Sequence, residues 1–397
     1  MRKAEIRALG ELAGELLAAG GKVVGDMHAG IASRPFAVLG PTARPVQAVH
    51  DGISTAIYSG LRTGLRAAGR GGGELAALRS GEEGSPLAST LRGSLALGAL
   101  NGLYGNHLEA HGNELALPMT LRPDGEPGPC IAVFVHGLCE TDDAWRVLPP
   151  GGEPGRPAYG DRLRDELGLT PLYLSYNTGL HISDNGRRLA ELLDDLERDW
   201  PVPVDEITLV GHSMGGLVAR SACHHAVVAG RSWSRAVRHV FCLGSPHLGA
   251  DLEKGVNMLG WALGRLPETR AFGEVLNARS AGIKDLRYGS CVEDDWRDGD
   301  PDELLRDRCS ELPFLPGAAY YFVAASLRDG PVGSLFGDLL VRLPSASGRG
   351  SGRGRRIEFE VDNGRELTGL THFDLLNHPD VYEQLRTWIR QADRTPS

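Results

Sequence analysis

The sequence predicts an α/β fold, in which a doubly wound, mostly parallel sheet carries an N-terminal helical extension and an inserted, lid-like segment. Two observations lead to this prediction. From about residue 117 onward, short apolar runs alternate with helical patterns, and this alternation is typical of a parallel sheet covered by helices on both faces. Before that point, apolar residues recur at helical spacing instead, which predicts helices without strands.

The length of 397 residues is enough for one large domain with an extension. We predict a helical extension over 1–116 and an α/β domain over 117–397. Within the α/β domain, the segment 249–316 does not follow the strand–helix alternation. It contains the stretch "GVNMLGWALGRL", whose side chains are too apolar to be left in water. The segment is therefore predicted to be an insert, either a packed core helix or a lid over a site.

The helical extension is predicted to contain several separate helices. Pro35, Pro41 and Pro45 interrupt the helical pattern, because proline lacks the N–H group that a helix interior requires. The glycine-rich stretch 70–86, "RGGGELAALRSGEEGSP", is predicted to be a flexible connection between helices.

In the second part of the chain, each apolar run has the length and composition of a strand, and each amphipathic run those of a helix. The predicted strands, in chain order, are "LALPMTLR", "CIAVFVHGL", "TPLYLSYN", "EITLVGHS", "VRHVFCLGSP", "AYYFVAAS" and "RIEFEV". The predicted helices include "NGRRLAELLDDLERDW", "MGGLVARSACHHAVVAG" and "DVYEQLRTWIRQA". The glycine- and arginine-rich stretch 345–356 is predicted to be a mobile surface loop.

The charge and apolar patterning of the chain exclude some classes of partner. The formal net charge is −9, so no basic excess is available for phosphate groups and nucleic-acid binding is not expected. Glu5, Glu11 and Glu15 interrupt the apolar centre that a signal peptide needs. No apolar run is long enough for a transmembrane helix. We therefore expect a cytoplasmic protein.

The six cysteines are too few for a disulfide scaffold in a chain of this length. Cys291 and Cys309 flank one segment and could pair in an exported protein, but two free thiols are the preferred interpretation. The acidic stretch 293–307 is predicted to be a solvated loop, because Glu303 and Cys309 stand where an EF-hand loop needs glycine and glutamate. No metal ion is expected.

The stretch "LVGHSMGGLVAR" places Ser213 midway between Gly211 and Gly215, after a predicted strand and before a predicted helix. A sharp strand-to-helix turn lifts a serine hydroxyl clear of the backbone, and small residues two positions away on either side let the chain bend. Such a serine also needs a base to remove its proton and a partner to orient that base. The stretch predicts a catalytic nucleophile, with a plain tight turn as the alternative.

Five stretches, in the order "VFVHGL", "GHSMGG", "GSPHLG", "GDLLVRLPSASG" and "THFDLLNHPDVY", resemble the α/β-hydrolase fold, specifically its bacterial esterase/lipase branch. The chain is also similar to the inositol deacylases of glycolipid anchors. The resemblance covers roughly the C-terminal two-thirds of the chain. These motifs are specific for the fold and much less specific for a substrate.

The resemblance implies which groups hold the oxyanion. One donor in such hydrolases is the backbone N–H of the residue after the nucleophile, here Met214. The other comes from the loop after an early strand, and in "FVHGLCE" we assign it to Leu138. His136 in the same loop precedes Ser213 in the chain, which is the wrong order for the base. We expect His136 to shape the loop instead.

The acid and then the base should follow the serine along the chain. His372 lies after the last predicted strand and before the final helix, so it is the predicted base. His378 is expected to cap the helix that begins beside Pro379. Asp338 in "FGDLLVRLPSASG" resembles the lipase pattern and is the preferred acid. Asp329 stays an alternative, because the glycine of the commonest lipase pattern is missing after Asp338.

Together these residues predict a serine hydrolase that uses no cofactor and cleaves carboxylic esters with an apolar acyl group, either small molecules or lipids. Peripheral membrane contact and the oligomeric state stay open. Two alternatives remain. An acyltransferase would use the same triad with an alcohol in place of water, and a non-catalytic lipid-binding protein would keep the fold without the reaction.

Overall fold

The structure is a computed structural model of the whole chain. The residues that it describes are 1–39, 43–81, 84–146, 155–250, 279–298, 309–326, 343–348, 356–357 and 359–392. The apolar stretch "GVNMLGWALGRL" within the predicted insert 249–316 lies outside these ranges, as do both candidate acids, Asp329 and Asp338.

The described residues fall into two compact units. Met1–Gly93 and Leu108–Ala116 belong to the first, which we call the helical unit. Ser94–His107 belongs to the second, the sheet unit, together with nearly all described residues from Leu117 onward. A domain boundary between residues 116 and 117 stays a prediction, but Ser94–His107 is part of the sheet unit although it precedes that point.

The helical unit is built on two long helices, α1 (Lys3–Leu39) and α2 (Arg44–Arg79). They touch backbone to backbone, since a Cβ atom on Gly69 would lie 2.5 Å from the carbonyl oxygen of Gly10. The Arg7–Glu74 ion pair, with N and O atoms 3.0 Å apart, lies in the same region. A third helix, α3 (Leu91–Ala110), follows them in the chain.

Two sequence predictions for the helical unit are wrong. The stretch 70–86 was expected to be a flexible connection, but its first ten residues continue α2 to Arg79. Gly73 allows close packing against α1, since a Cβ atom there would lie 3.1 Å from the carbonyl oxygen of Arg7, and a local interpretation of glycine as a helix breaker does not anticipate this contact. Pro35 does not separate two helices either, because α1 continues through it to Leu39.

The sheet unit contains, among the described residues, one sheet of seven strands in the order β1-β3-β2-β4-β5-β6-β7. All neighbouring pairs are parallel except β1 with β3. The strands are β1 (Thr120–Pro123), β2 (Cys130–Val135), β3 (Thr170–Ser175), β4 (Glu206–His212), β5 (Val237–Leu243), β6 (Ala319–Ser326) and β7 (Gly364–Thr368). The mostly parallel sheet predicted from the alternation of strands and helices is confirmed.

Helices cover both faces of this sheet. They are α4 (Tyr159–Leu167), α5 (Ile182–Asp199), α6 (Met214–Ala229), α7 (Ala281–Asp285), α8 (Leu343–Ala346) and α9 (Pro379–Ala392). Successive residues of a strand point to opposite faces, and β2 divides accordingly. Ile131 and Val133 join a core cluster with α5 and α6, whereas Ala132 and Phe134 join another with α4 and α9. This arrangement is the predicted doubly wound architecture.

The last strand lies later in the chain than predicted. "RIEFEV" was expected to form it, but β7 begins eight residues later, at Gly364. Gly364 pairs with Phe322 of β6, and a Cβ atom on Gly364 would lie 2.2 Å from the Phe322 ring. The glycine makes room for the phenylalanine, while Phe359 from "RIEFEV" packs into the core beside Phe314.

Two predicted loops contain buried polar groups. Ser345 and Ser347, at the start of the stretch expected to be a mobile surface loop, are buried. The Ser345 hydroxyl donates to the carbonyl oxygen of Gly249 at 2.8 Å and accepts from the N–H of Leu248 at 3.1 Å. Asp295, in the acidic stretch expected to be solvated, is also buried. Its carboxylate accepts the backbone N–H groups of Cys291 and Val292.

All six cysteines are described, and each is a free thiol, including Cys291 and Cys309.

Within the described part of the chain, no helix combines the length and the apolar character that crossing a bilayer requires.

Candidate active site

The carboxyl ends of the central strands meet at one edge of the sheet, which positions the predicted site. Val135 at the end of β2 pairs with Gly211, and His212 at the end of β4 pairs with Leu243 at the end of β5. The loops that follow these strands therefore start side by side. In open α/β sheets, this edge is where ligands bind.

Ser213 occupies the turn between β4 and α6. Its backbone has φ 52° and ψ −122°, a conformation that residues other than glycine adopt only under strain. The Ser213 N–H donates to the carbonyl oxygen of Leu243 at 2.8 Å, and the Ser213 carbonyl accepts from Gly216 at 3.2 Å. The sharp strand-to-helix turn predicted around Ser213 is present in the structure.

The glycines on either side of Ser213 are required by close backbone contacts. A Cβ atom on Gly211 would lie 2.4 Å from the backbone nitrogen of Gly216. A Cβ atom on Gly215 would lie 2.1 Å from the carbonyl oxygen of Val135. Both distances are far below van der Waals contact, so the turn closes only without these side chains.

The loop 136–140 after β2 lies against the serine. A Cβ atom on Gly137 would lie 3.0 Å from the Cβ atom of Ser213. Two residues that follow β3 hold this loop in place. The Tyr176 hydroxyl donates to the carbonyl oxygen of His136 at 2.7 Å, and the Thr178 hydroxyl accepts the N–H of Cys139 at 3.2 Å.

The two predicted oxyanion donors, Leu138 and Met214, flank this contact. Met214 is the first residue of α6, and the first N–H groups of a helix have no acceptor within the helix. In loop 136–140, the N–H groups of Gly137, Cys139 and Glu140 donate to protein oxygens. Among the described residues, the Leu138 N–H has no such acceptor.

His372 lies near the same edge of the sheet. It begins a short 3₁₀ helix, His372–Leu376, between β7 and α9. A Cβ atom on Gly244, one residue after β5, would lie 2.9 Å from Cε1 of the His372 ring. The centroids of the His372 and His212 rings are 4.7 Å apart. The predicted base therefore packs beside the residue that precedes the predicted nucleophile.

The His372 ring is held in its neutral form by its surroundings. Burial, followed by the proximity of His212, lowers the pKa of His372 to about 3, although Glu140 acts in the opposite direction. A neutral imidazole is the form that accepts a proton from a serine hydroxyl. His372 is thus in the protonation state that a general base requires at neutral pH.

The sequence also predicted roles for His378, for His136 and for the two candidate acids. His378 accepts the N–H of Asp380 at 3.2 Å with its ring nitrogen, so its predicted role at the start of the last helix is confirmed. Asp338 and Asp329 lie outside the described residues. His136 is fully buried and stacks on Tyr176 at a centroid distance of 4.4 Å, as expected for a residue that shapes the loop.

Sequence reasoning missed two residues of the site, Glu140 and His212. His212 Nδ1 lies 3.0 Å from a carboxylate oxygen of Glu140, and both side chains are buried. His212 Nε2 lies 3.1 Å from the carbonyl oxygen of His372. The signal was the position of each residue, since Glu140 ends the predicted oxyanion loop and His212 directly precedes Ser213.

Sequence reasoning also missed the contribution of α3. A Cβ atom on Gly102 would lie 2.2 Å from the sulfur of Cys139 and 2.9 Å from its Cα atom. The Ser94 hydroxyl is hydrogen-bonded to that of Thr141 at 2.8 Å. The segment Ser94–His107 therefore supports the loop that carries Leu138.

One protein-family profile matches part of this chain. Residues 131–297 match the sequence profile of the family described as "PGAP1-like alpha/beta domain". That range begins in β2 and contains both Leu138 and Ser213. No curated protein sequence matches this chain.

Several solved structures of lipases and esterases are similar to this chain at low identity. A mature lipase of Bacillus licheniformis is 18% identical, with a TM-score of 0.42, and the match covers 69% of this chain and 98% of the lipase. A thermophilic esterase of Thermogutta terrifontis is 13% identical, with a TM-score of 0.39 and coverages of 70% and 93%. A lipase-esterase related protein of Clostridium acetobutylicum is 13% identical, with a TM-score of 0.38 and coverages of 68% and 98%.

Proposed function

We propose that this chain is a serine hydrolase with the α/β-hydrolase fold that cleaves carboxylic esters with an apolar acyl group, either small molecules or lipids. The observation that carries the proposal is the backbone of Ser213, a non-glycine residue with φ 52° and ψ −122° between β4 and α6. A strained conformation persists only where the surrounding structure enforces it, and such residues cluster at active sites. A tight turn without a chemical role would be relieved by glycine at this position.

The proposed reaction proceeds through an acyl-enzyme. The Ser213 hydroxyl oxygen attacks the ester carbonyl carbon while His372 accepts the hydroxyl proton. The N–H groups of Leu138 and Met214 donate to the oxyanion that forms. His372 then passes the proton to the leaving alcohol. In the second half, His372 takes a proton from water while the water oxygen attacks the acyl carbon. The bond between this carbon and the Ser213 oxygen then breaks, His372 returns the proton to that oxygen, and the acid leaves. Asp338 orients His372 throughout.

Two further observations support this assignment of roles. Burial and the proximity of His212 keep His372 neutral, because they lower its pKa to about 3. The loop with Leu138 is also fixed before any substrate binds, through Tyr176, Thr178 and Glu140. Preorganised donors of this kind stabilise a transition state without a reorganisation cost during the reaction.

The proposal is tested by hydrolysis of p-nitrophenyl esters of increasing acyl length. We expect the wild-type chain to hydrolyse them and Ser213→Ala to lower kcat by roughly 10³-fold or more. The matched control is Ser232→Ala, which removes an exposed hydroxyl after α6 in the same unit and should leave kcat unchanged. Equal rates for wild type and Ser213→Ala contradict the proposal.

The same assay separates hydrolysis from acyl transfer, because both would use Ser213 and His372. With an alcohol acceptor added, hydrolysis gives the free acid and transfer gives a new ester. We expect the free acid as the main product, and a new ester as the main product would assign the chain to the acyltransferases.

A further inference from the structure

The buried contact between Glu140 and His212 is not part of the proposed triad. It is bonded, however, to the oxyanion loop and to the main chain of His372. Two His212–Glu140 distances define it: Nδ1 lies 3.0 Å from Oε1 and 3.1 Å from Oε2. His212 is completely buried and Glu140 is 8% exposed. Such polar groups are retained inside a protein only when they are paired and hydrogen-bonded.

Glu140 and His212 each make a further hydrogen bond to the main chain. A carbonyl oxygen can only accept, so His212 Nε2 must carry a proton to bond the carbonyl oxygen of His372 at 3.1 Å. Glu140 Oε2 accepts the N–H of Gly137 at 2.7 Å. Burial raises the pKa of Glu140, but the charge and hydrogen bond of His212 and the N–H of Gly137 outweigh burial, so its pKa lies below the usual range.

The Glu140–His212 pair is thus a buried, hydrogen-bonded contact whose outer partners are main-chain groups of two different segments. It also acts on the proposed base, because the proximity of His212 lowers the pKa of His372.

The Glu140–His212 pair joins three parts of the site that are far apart in the sequence. Glu140 fixes the loop of the proposed oxyanion donor Leu138 through the N–H of Gly137. His212 adjoins Ser213 in the chain, and its other nitrogen holds the main chain of His372. Breaking the pair would loosen the oxyanion loop and the base together, which no single residue of the triad does.

We propose that Glu140 and His212 are positioning residues for ester hydrolysis, which hold the oxyanion loop and the main chain of His372 in register with Ser213 through one buried hydrogen-bonded pair. The proposal rests on the proposed function. It predicts that the pair acts on kcat and on the acid limb of the pH profile, since neither residue is expected to contact the substrate.

Other charged groups around the pair belong to the same region. His136, in the loop, is neutral because burial lowers its pKa, despite hydrogen bonding to Gly137 and the proximity of Glu140 and Asp142. His372 faces His212 from the segment before α9. Among the described residues, Glu140 is the carboxylate that contacts His212, and both members of the pair act on the pKa of His372.

Two conservative variants test the proposal, Glu140→Gln and His212→Gln. Glutamine at 212 keeps a side-chain donor for the His372 carbonyl oxygen but removes the imidazole ring. We expect each variant to lower kcat by roughly 10- to 100-fold with a much smaller change in KM, because misplaced groups cost transition-state binding. His212→Gln should also move the acid limb to higher pH, since the proximity of His212 lowers the pKa of His372. The double variant should be no worse than the more damaging single one, because the two residues act as a unit.

The matched control is Glu206→Gln at the start of β4, where Glu206 lies 3.9 Å from the ring of His239 in a second glutamate–histidine pair. This control should leave kcat and the pH profile unchanged. Thermal melting followed by circular dichroism checks that each variant is folded. If Glu140→Gln does not fold, Glu140→Asp takes its place, because aspartate keeps the carboxylate on a shorter side chain. Variants that fold and keep wild-type kcat and pH profile overturn the proposal. A wild-type chain without esterase activity instead overturns the proposed function, so the two failures are distinguishable.

Discussion

The backbone N–H of Ser213 donates a 2.8 Å hydrogen bond to the carbonyl oxygen of Leu243, the last residue of the neighbouring strand β5. The turn that presents the serine is therefore bonded to the sheet, and its φ of 52° is imposed by the surrounding structure. We make four predictions, each for a different part of the site around this turn.

Gly215→Ala should distort the serine turn. The new Cβ atom would meet the carbonyl oxygen of Val135 at 2.1 Å, and this backbone atom cannot rotate away. We expect a loss of about 1 to 3 kcal/mol in the free energy of unfolding and a fall in kcat of roughly 100-fold. Urea denaturation and ester hydrolysis measure the two effects.

The control for this substitution is Gly64→Ala on the exposed face of α2, where a Cβ atom would meet no neighbour within 4 Å. It should stabilise the chain by about 0.5 to 1 kcal/mol, since alanine favours a helix interior over glycine, and leave kcat unchanged. Equal effects of the two substitutions would refute a specific steric requirement at Gly215.

Gly102→Ala should act on the oxyanion loop from α3. The added methyl group would meet Cys139 at its sulfur and at its Cα atom, so the loop with Leu138 has to move. We expect both Tm and kcat to fall. Leu103→Ala, one residue further along α3 at a position that is 49% exposed, should change neither. An unchanged kcat in a folded Gly102→Ala variant would show that α3 does not support the loop.

The two candidate acids can be told apart by substitution. Asp338→Asn should lower kcat by roughly 10⁴-fold, the size of effect expected when a triad histidine loses its orienting carboxylate. Asp329→Asn should change kcat by no more than about 3-fold, as expected for a residue outside the reaction centre. The opposite ranking would transfer the role of the acid to Asp329.

The stability of the chain should decrease in acid partly because of His372. Burial lowers its pKa to about 3, whereas an exposed histidine in the unfolded chain titrates near about 6.5. Between these values the unfolded state binds the extra proton, so the stabilisation is complete above the unfolded pKa and is lost as pH falls toward the folded pKa.

His372→Gln removes this contribution. The free energy of unfolding of the variant should fall less steeply between about pH 6 and about pH 4, by up to about 1.4 kcal/mol per pH unit for one proton. Urea denaturation at several pH values gives the slopes. His378→Gln, with a partly exposed ring in the same segment, is the control. Parallel curves for wild type and His372→Gln would show that His372 does not stay neutral in the folded chain.

Local sequence was sufficient for the parts of this fold that depend on neighbouring residues. The turn at Ser213 could be predicted because the strand, the two glycines and the helix all lie within one short stretch. The parallel sheet could be predicted because each of its central strands is an apolar run, buried on both faces.

Contacts between distant parts of the chain could not be predicted in the same way. Glu140 and His212 are 72 residues apart, and neither residue type signals the pairing by itself. The glycine-rich stretch after residue 69 resembled a linker, but Gly69 and Gly73 lie in the contact of α2 with α1, about 60 residues away in the chain. The start of β7 depends on the space that Gly364 leaves for Phe322, which no periodicity reports.

The most direct test of the account is covalent labelling with a fluorophosphonate, followed by mass spectrometry of the intact chain and of its peptides. The account predicts one label per chain, attached to Ser213, and no label on the folded Ser213→Ala variant. A label on another residue, or none on a folded wild-type chain that still hydrolyses esters, would contradict the central claim that Ser213 is the nucleophile.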